Sequence, residues 1–194
     1  MDGALPRQTP LIGRHADVQA VLGSLREPRL LTIVGTGGVG KTSLAVEVGH
    51  NADHERVRFV DLAQIEDAAL VPSVLAAAFG LPVQAEDPVL VLLAHLRSSR
   101  ALLIIDNCEH LVDTVCAMAE RLREAAPGVC LLATSREPLR ARNEQLYWLG
   151  PLECPPPEAR LDGPALMAFP AVRLFVERAS LANRPEPLGE GELR

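Results

Sequence analysis

The stretch LLTIVGTGGVGKTSLAVEV, residues 30–48, constrains the fold more than any other part of the chain. An apolar run meets a burst of glycine, and an apolar-periodic segment opens at Lys41. Residues 35–42, GTGGVGKT, fit the pattern G-x-x-x-x-G-K-[ST] in the strand–turn–helix setting that its mechanism needs. Glycine lets the backbone curl with its N–H groups pointing inward, and the helix N-terminus adds positive potential at the same place. The product is a phosphate cradle. Gly35, Gly37, Gly38, Val39, Gly40, Lys41, Thr42 and Ser43 are the candidate nucleotide-binding residues. Lys41 is expected to reach the β- and γ-phosphates, and the Thr42 hydroxyl to ligate Mg²⁺.

Lys41 is the only lysine; the other 18 of the 19 basic residues are arginine. A lysine is a compact point charge on a flexible stem, whereas arginine is a broad planar fork, and a tight nest has room for the first. The single lysine also excludes the N-K-x-D reader of guanine, which needs a second one. Residues 35–37 lack the extra lysine of chromosome-partitioning ATPases, and no LSGGQ-like signature occurs. Adenine is the expected base, with ATP or ADP and Mg²⁺ as the ligands.

Further along, apolar runs alternate with amphipathic stretches, which signals an α/β sheet with helical crossovers. Helices are expected over residues 16–25, 41–51, 70–79 and 88–96, and strands over 30–34, 57–62, 101–106, 129–133 and 145–149. Leu111, Val115, Met118 and Leu122 recur at helical spacing, and Pro127-Gly128 stops that helix. The run 101–106 is the most apolar and is expected at the sheet centre. Residues 1–152 form the expected P-loop core. Residues 153–164 (ECPPPEARLDGP) form a proline-rich linker. A helix follows over 165–182 with Val172, Phe175, Val176 and Ala179 in one apolar stripe, and the tail 183–194 has little to bury, a composition compatible with disorder.

Two further strand ends complete the site. Asp106 closes the run ALLIID, where a carboxylate would point toward the phosphates and hold Mg²⁺ through water, sharing the metal with Thr42. The residue after it is Asn107, which has no basic oxygen to activate water, and nearby Glu109 is the candidate for that task. Arg136, after the run LLATS, is placed to sense a γ-phosphate, a role that a guanidinium fork suits. Lys41, Asp106, Glu109 and Arg136 are thus the candidate catalytic residues.

The formal net charge of −6 argues against a broad nucleic-acid footprint, so no direct DNA contact is expected of this chain. Four cysteines at irregular spacing, without a CxxC pair, read as buried reduced thiols of a cytoplasmic protein. No secretion signal and no membrane span is expected. The five histidines make no metal-binding pattern; His50 and His54, four apart, read as solvated residues.

Taken in order, LIGRHADV, LTIVGTGGVGKTSLA, RFVDLAQIEDAALV, LLIIDNCEHLVD, LLATSREPLR and AVRLFVERA resemble the STAND (NB-ARC-like) signal-transduction ATPases. The resemblance is strongest to the ATPase module of bacterial LuxR-family and AfsR-like transcriptional regulators, and it spans residues 11–182. It implies a P-loop NTPase fold with a five-stranded parallel sheet in the order 5-1-4-3-2, helices on both faces, and an ATP/ADP switch rather than a motor. It places the family's h-G-R motif on Ile12-Gly13-Arg14, with Arg14 flanking the adenine, and the family's sensor arginine on Arg136. In that family a helical module and a winged helix follow the core, so the partners implied are the nucleotide and those C-terminal modules. The expected function is an ATP/ADP-binding switch of a signal-responsive regulator with slow or no hydrolysis. The alternative is an active ATPase or phosphotransferase.

Overall fold

Three strands are buried from end to end: β1 (Leu30–Val34), β3 (Ala101–Asp106) and β4 (Cys130–Ser135). A strand covered on both faces of a parallel sheet needs apolar side chains in both directions, so it reads as a continuous run. The computed structural model describes residues 3–9, 11–27, 29–82, 87–158 and 162–182. It places these strands at the middle of a five-stranded sheet ordered β2-β3-β4-β1-β5, with every neighbouring pair parallel. Counted from the other edge, this is the expected order 5-1-4-3-2. The edges are β2 (Arg56–Asp61) and β5 (Gln145–Trp148), both partly exposed.

Strand alternation divides the core into two layers. Leu31, Ile33, Leu102, Ile104, Cys130 and Leu132 face α1 (His15–Ser24) and α2 (Lys41–Asn51). Leu30, Leu103, Ile105, Leu131 and Ala133 face α3 (Val71–Ala78), α4 (Pro88–Leu96) and α5 (Val112–Ala125). The expected α5 stripe is buried, with Leu111, Val115, Met118 and Leu122 each at most 6% exposed. Gly128 follows because a Cβ there would lie 2.6 Å from the Ser99 carbonyl oxygen.

The same alternation positions the site. Asp106 continues the Leu102–Ile104 side of β3, and Thr134 continues the Cys130–Leu132 side of β4, so both face α2 at the carboxyl end of the sheet. Here β4 runs two residues past its expected end at 133. Thr134 and Ser135 are polar, so an apolar run does not include them, yet they pair with Ile33 and Val34 and are fully buried.

The chain forms two compact units, residues 1–150 and 151–194. Within the second, α6 (Gly163–Leu166) starts inside the expected linker, with the Asp162 carboxylate accepting from the Ala165 N–H at 3.0 Å. On α7 (Pro170–Ala182), Phe175 and Val176 are exposed. The tail 183–194 lies outside the described residues. The cysteines divide: Cys108 and Cys130 are buried and Cys116 half-buried, but Cys154 is exposed. The expectation of buried thiols fails at Cys154 because it sits in the proline-rich segment rather than in an apolar strand or helix.

Candidate functional site: a glycine cradle facing two strand ends

Residues 35–42 join β1 to α2. Gly38 and Gly40 have φ of 76° and 101°, the left-handed region where a Cβ is strained. Gly35 is required for a different reason: a Cβ there would meet the Leu149 carbonyl oxygen at 2.7 Å and Val39 Cγ1 at 3.0 Å. Gly40 gives α2 no side-chain cap, so the first N–H groups of that helix remain for a ligand. Ser43 is exposed in that first turn.

Lys41 is only 8% exposed, and its Nζ donates to the carbonyls of Gly35 at 2.9 Å and Thr36 at 3.1 Å. Among the described residues it has no ion-pair partner. A nearly buried ammonium without a carboxylate leaves a positive charge to be neutralised. At the uncapped N-terminus of α2 that charge suits a phosphate, so the donor set fits the ligand its sequence pattern suggests.

Across from the cradle, the Thr42 hydroxyl meets the Asp106 carboxylate at 2.9 and 2.8 Å. Asp106 is 1% exposed and is held by two groups that sequence reasoning missed. The Thr134 hydroxyl donates to its Oδ1 while accepting from the Asn107 N–H at 3.0 Å. The Asn107 side-chain amide donates to Asp106 Oδ2 at 3.0 Å and to Asp61 Oδ1, at the end of β2, at 2.8 Å. Asn107 holds φ of 61°, a conformation that asparagine tolerates better than most side chains. The one available signal for Thr134 was a polar β-branched residue continuing a buried strand.

Glu109 and Arg136 are brought together, with Arg136 Nε donating to Glu109 Oε1 at 2.9 Å. Arg14 is 7% exposed, and its fork is engaged by protein acceptors: the Val39 carbonyl at 3.2 Å, the Gly150 carbonyl at 2.6 Å and the Asp17 carboxylate at 3.4 Å. Asp17 also accepts from the Tyr147 hydroxyl at 2.6 Å. Burial and that bond push the Tyr147 phenol up to about 12. Any contact of Arg14 with a base comes in addition to these bonds. His50 and His110 bond the carbonyls of Pro6 and Ile65 at 2.8 and 2.9 Å.

Comparison with known proteins decides the family. Residues 25–136, more than half the chain, match the AAA domain. The chain belongs to the AAA domain family. This AAA domain is 37% identical over 158 residues to a Mycobacterium tuberculosis protein proposed by its name to be an HTH-type transcriptional regulator. That match covers 80% of this chain and 16% of the relative. It is 33% identical over 175 residues to an uncharacterized protein of the same organism, covering 88% of this chain and 41% of that one. The chain thus spans less than half the length of either relative. Among solved structures it is similar to a signal transduction ATPase with numerous domains (STAND) carrying a tetratricopeptide repeat sensor, from Pyrococcus horikoshii. The TM-score is 0.56 at 18% identity, over 78% of this chain and 25% of that one, a likeness of fold. Among the described residues no helix is long and apolar enough to cross a membrane.

The electrostatics of the AAA domain give a first prediction. Burial pushes the Asp106 carboxyl above its ordinary value; bonds from Thr134 and Thr42 pull it back, and the Asp61 and Glu109 charges push it up again. A folded-state value above the unfolded one means that the fold prefers the protonated form. This contribution to stability is present at low pH and is lost as pH rises through the folded value. Asp106→Asn lacks that titration. In the nucleotide-free protein without added metal, the parent is expected to lose thermal stability relative to Asp106→Asn as pH rises from the ordinary carboxylate value of about 4. Parallel unfolding curves above that pH would contradict the assignment.

Proposed function

We propose that this domain is an ATP/ADP-binding switch of the STAND (NB-ARC-like) kind, working within a signal-responsive transcriptional regulator of the LuxR-family or AfsR-like type. The observation that carries the reading is the nearly buried, carboxylate-free Lys41 ammonium in the glycine cradle, directly beside the Thr42–Asp106 pair. The pair fits Mg²⁺. That ion takes few protein ligands and keeps waters and phosphate oxygens in its remaining positions, and among the described residues no group of three His, Cys, Asp or Glu side chains is placed to hold a metal. Held there, Mg²⁺ would neutralise phosphate charge.

The protein's own residues divide the work. Backbone N–H groups of the glycine loop would hold the phosphates, with Lys41 giving up its two loop carbonyls for phosphate oxygens. Thr42 and Asp106, the latter fixed by Thr134 and Asn107, are the residues that would hold the ion. Arg136 reports the third phosphate. ATP and ADP then stabilise different arrangements by the difference in these contacts, which is all that a nucleotide switch requires. Hydrolysis is slow, because the residue after Asp106 is an amide already bonded to Asp61 and Asp106. The name carried by the mycobacterial relative supports the regulatory context.

Calorimetric titration of ADP and ATP, each with Mg²⁺, into the parent and into Lys41→Ala tests the reading. Loss of about 2 kcal/mol of charge-assisted bonding predicts roughly 30-fold weaker binding of both nucleotides in the variant. Equal affinities in the two proteins, or no binding to the parent, would overturn it.

A further inference from the structure

We propose that Glu109 is a positioning residue for Arg136 and not the group that activates water; the inference rests on the nucleotide-binding reading. Glu109 stands on a one-turn 3-10 helix (Cys108–His110) directly after β3. That turn is fixed on several sides. Cys108 is buried with its thiol on the Ile105 carbonyl at 3.3 Å, the Leu111 N–H closes on the Cys108 carbonyl at 3.0 Å, and His110 bonds Ile65. Arg136, by contrast, is an exposed residue beyond the end of β4. The side-chain exposures are 23% for Glu109 and 65% for Arg136, so the carboxylate is the anchored member of the pair.

The geometry divides the guanidinium in two. Its Nε is committed to Glu109 Oε1 at 2.9 Å. Its Nη2 and Cζ lie 3.5 and 3.6 Å from where a Cβ of Gly37 would be, so the plane passes alongside the cradle. Among the described residues neither Nη atom has a hydrogen-bond acceptor. An arginine offers five N–H donors in a rigid fork, and here one edge is held while the other remains open beside Gly37. A third phosphate in the cradle would meet that open edge, and the diphosphate would not reach it. A free arginine would lose rotamer freedom on making this contact, and Glu109 removes that loss beforehand.

The same geometry turns Glu109 away from general base chemistry. Oε1 already accepts from Arg136. Oε2 is closed off from solvent and has no hydrogen-bond partner. Of the two oxygens only Oε1 is left for an attacking water, and it already shares its lone pairs with Arg136.

The test is the ratio of ADP to ATP dissociation constants in the parent, Arg136→Ala, Glu109→Ala, Glu109→Gln and the double alanine variant. Arg136→Ala is expected to weaken ATP about 10-fold and leave ADP unchanged. Glu109→Ala is expected to lose most of the same preference with ADP affinity and thermal stability kept. The double variant should be no worse than Arg136→Ala alone, the mark of two residues acting as one unit. Glu109→Gln keeps an acceptor oxygen but not the charge and should fall between. Additive losses, or a Glu109→Gln variant that binds ATP like the parent but stops its turnover, would overturn the positioning role. If Lys41→Ala weakens both nucleotides while Glu109→Ala leaves the ratio intact, this inference fails and the switch reading stands. If the parent binds neither nucleotide, both fail.

Discussion

Thr134→Val lowers the midpoint of thermal unfolding by about 10 °C at neutral pH, while Thr134→Ser stays within a few degrees of the parent. The substitution keeps the shape of a fully buried side chain and removes one hydroxyl. That hydroxyl does two things at once: it donates to the Asp106 carboxylate and accepts from the Asn107 N–H. A bond to a charged group contributes roughly 1.5–3 kcal/mol, and a buried N–H left without an acceptor costs about 1–3 kcal/mol. Together they put the loss at about 3 kcal/mol, which for a chain of this size moves the midpoint by ~10 °C. The variant also leaves Asp106 with fewer donors, so its carboxyl is driven further above its ordinary value. Differential scanning calorimetry on the nucleotide-free protein is the direct check, and an unchanged midpoint would mean that Thr134 does not support Asp106.

Gly35→Ala carries the second large effect, and it acts on stability and ligand together. The new methyl would stand 2.7 Å from a backbone oxygen, that of Leu149, and 3.0 Å from Val39 Cγ1. The first of these is not the end of a flexible side chain. Leu149 is fixed because its N–H donates to the Val34 carbonyl at 2.8 Å, in the strand pair that carries Gly35 itself. Relief therefore needs the phosphate loop to move away from β5. Forcing extra atoms into a packed site costs typically 1–3 kcal/mol. The displaced loop also no longer aims its backbone N–H groups at a bound phosphate, so ADP binding is expected to fall at least ~10-fold, in addition to the thermal loss. Gly23→Ala, where a Cβ meets nothing within 4 Å, is the matched control and should leave ADP binding unchanged and stability equal or slightly raised, because Gly23 lies in α1 and alanine is the better helix former.

The pattern of what was legible beforehand follows from the range of the interactions. Burial on both faces makes β1 and β3 apolar at consecutive positions, so their limits matched the apolar runs at 30–34 and 101–106. Pro88 at the first position of α4, after the Asp87 cap, fixed that helix as sharply. The cradle was legible because its chemistry is local: eight consecutive residues contain the glycines, the lysine and the threonine. The strand order was not carried by periodicity and came only with the family resemblance. The support of Asp106 was not visible because it is built across strands, from Asp61, Asn107 and Thr134. The ends of β4 and β3 carry polar residues whose partners lie in neighbouring strands, and no local spacing identifies them. Glu109 was visible as an acid close to the site, but its pairing with Arg136, 27 residues on, was not.

Arg14 binds two places that lie far apart along the chain: Val39 in the phosphate loop and Gly150, the last residue of the first compact unit. One guanidinium thus works as a strut. Its own footing is the start of α1, where Asp17 steadies it and is steadied in turn by Tyr147 of β5. Leu149, one residue before Gly150, is pressed against Gly35 at the opposite end of the same loop. The polypeptide therefore leaves the unit from a point braced against both ends of the glycine loop. Any movement of that loop must break or carry with it the contacts that Arg14 and Leu149 make beside the end of the unit.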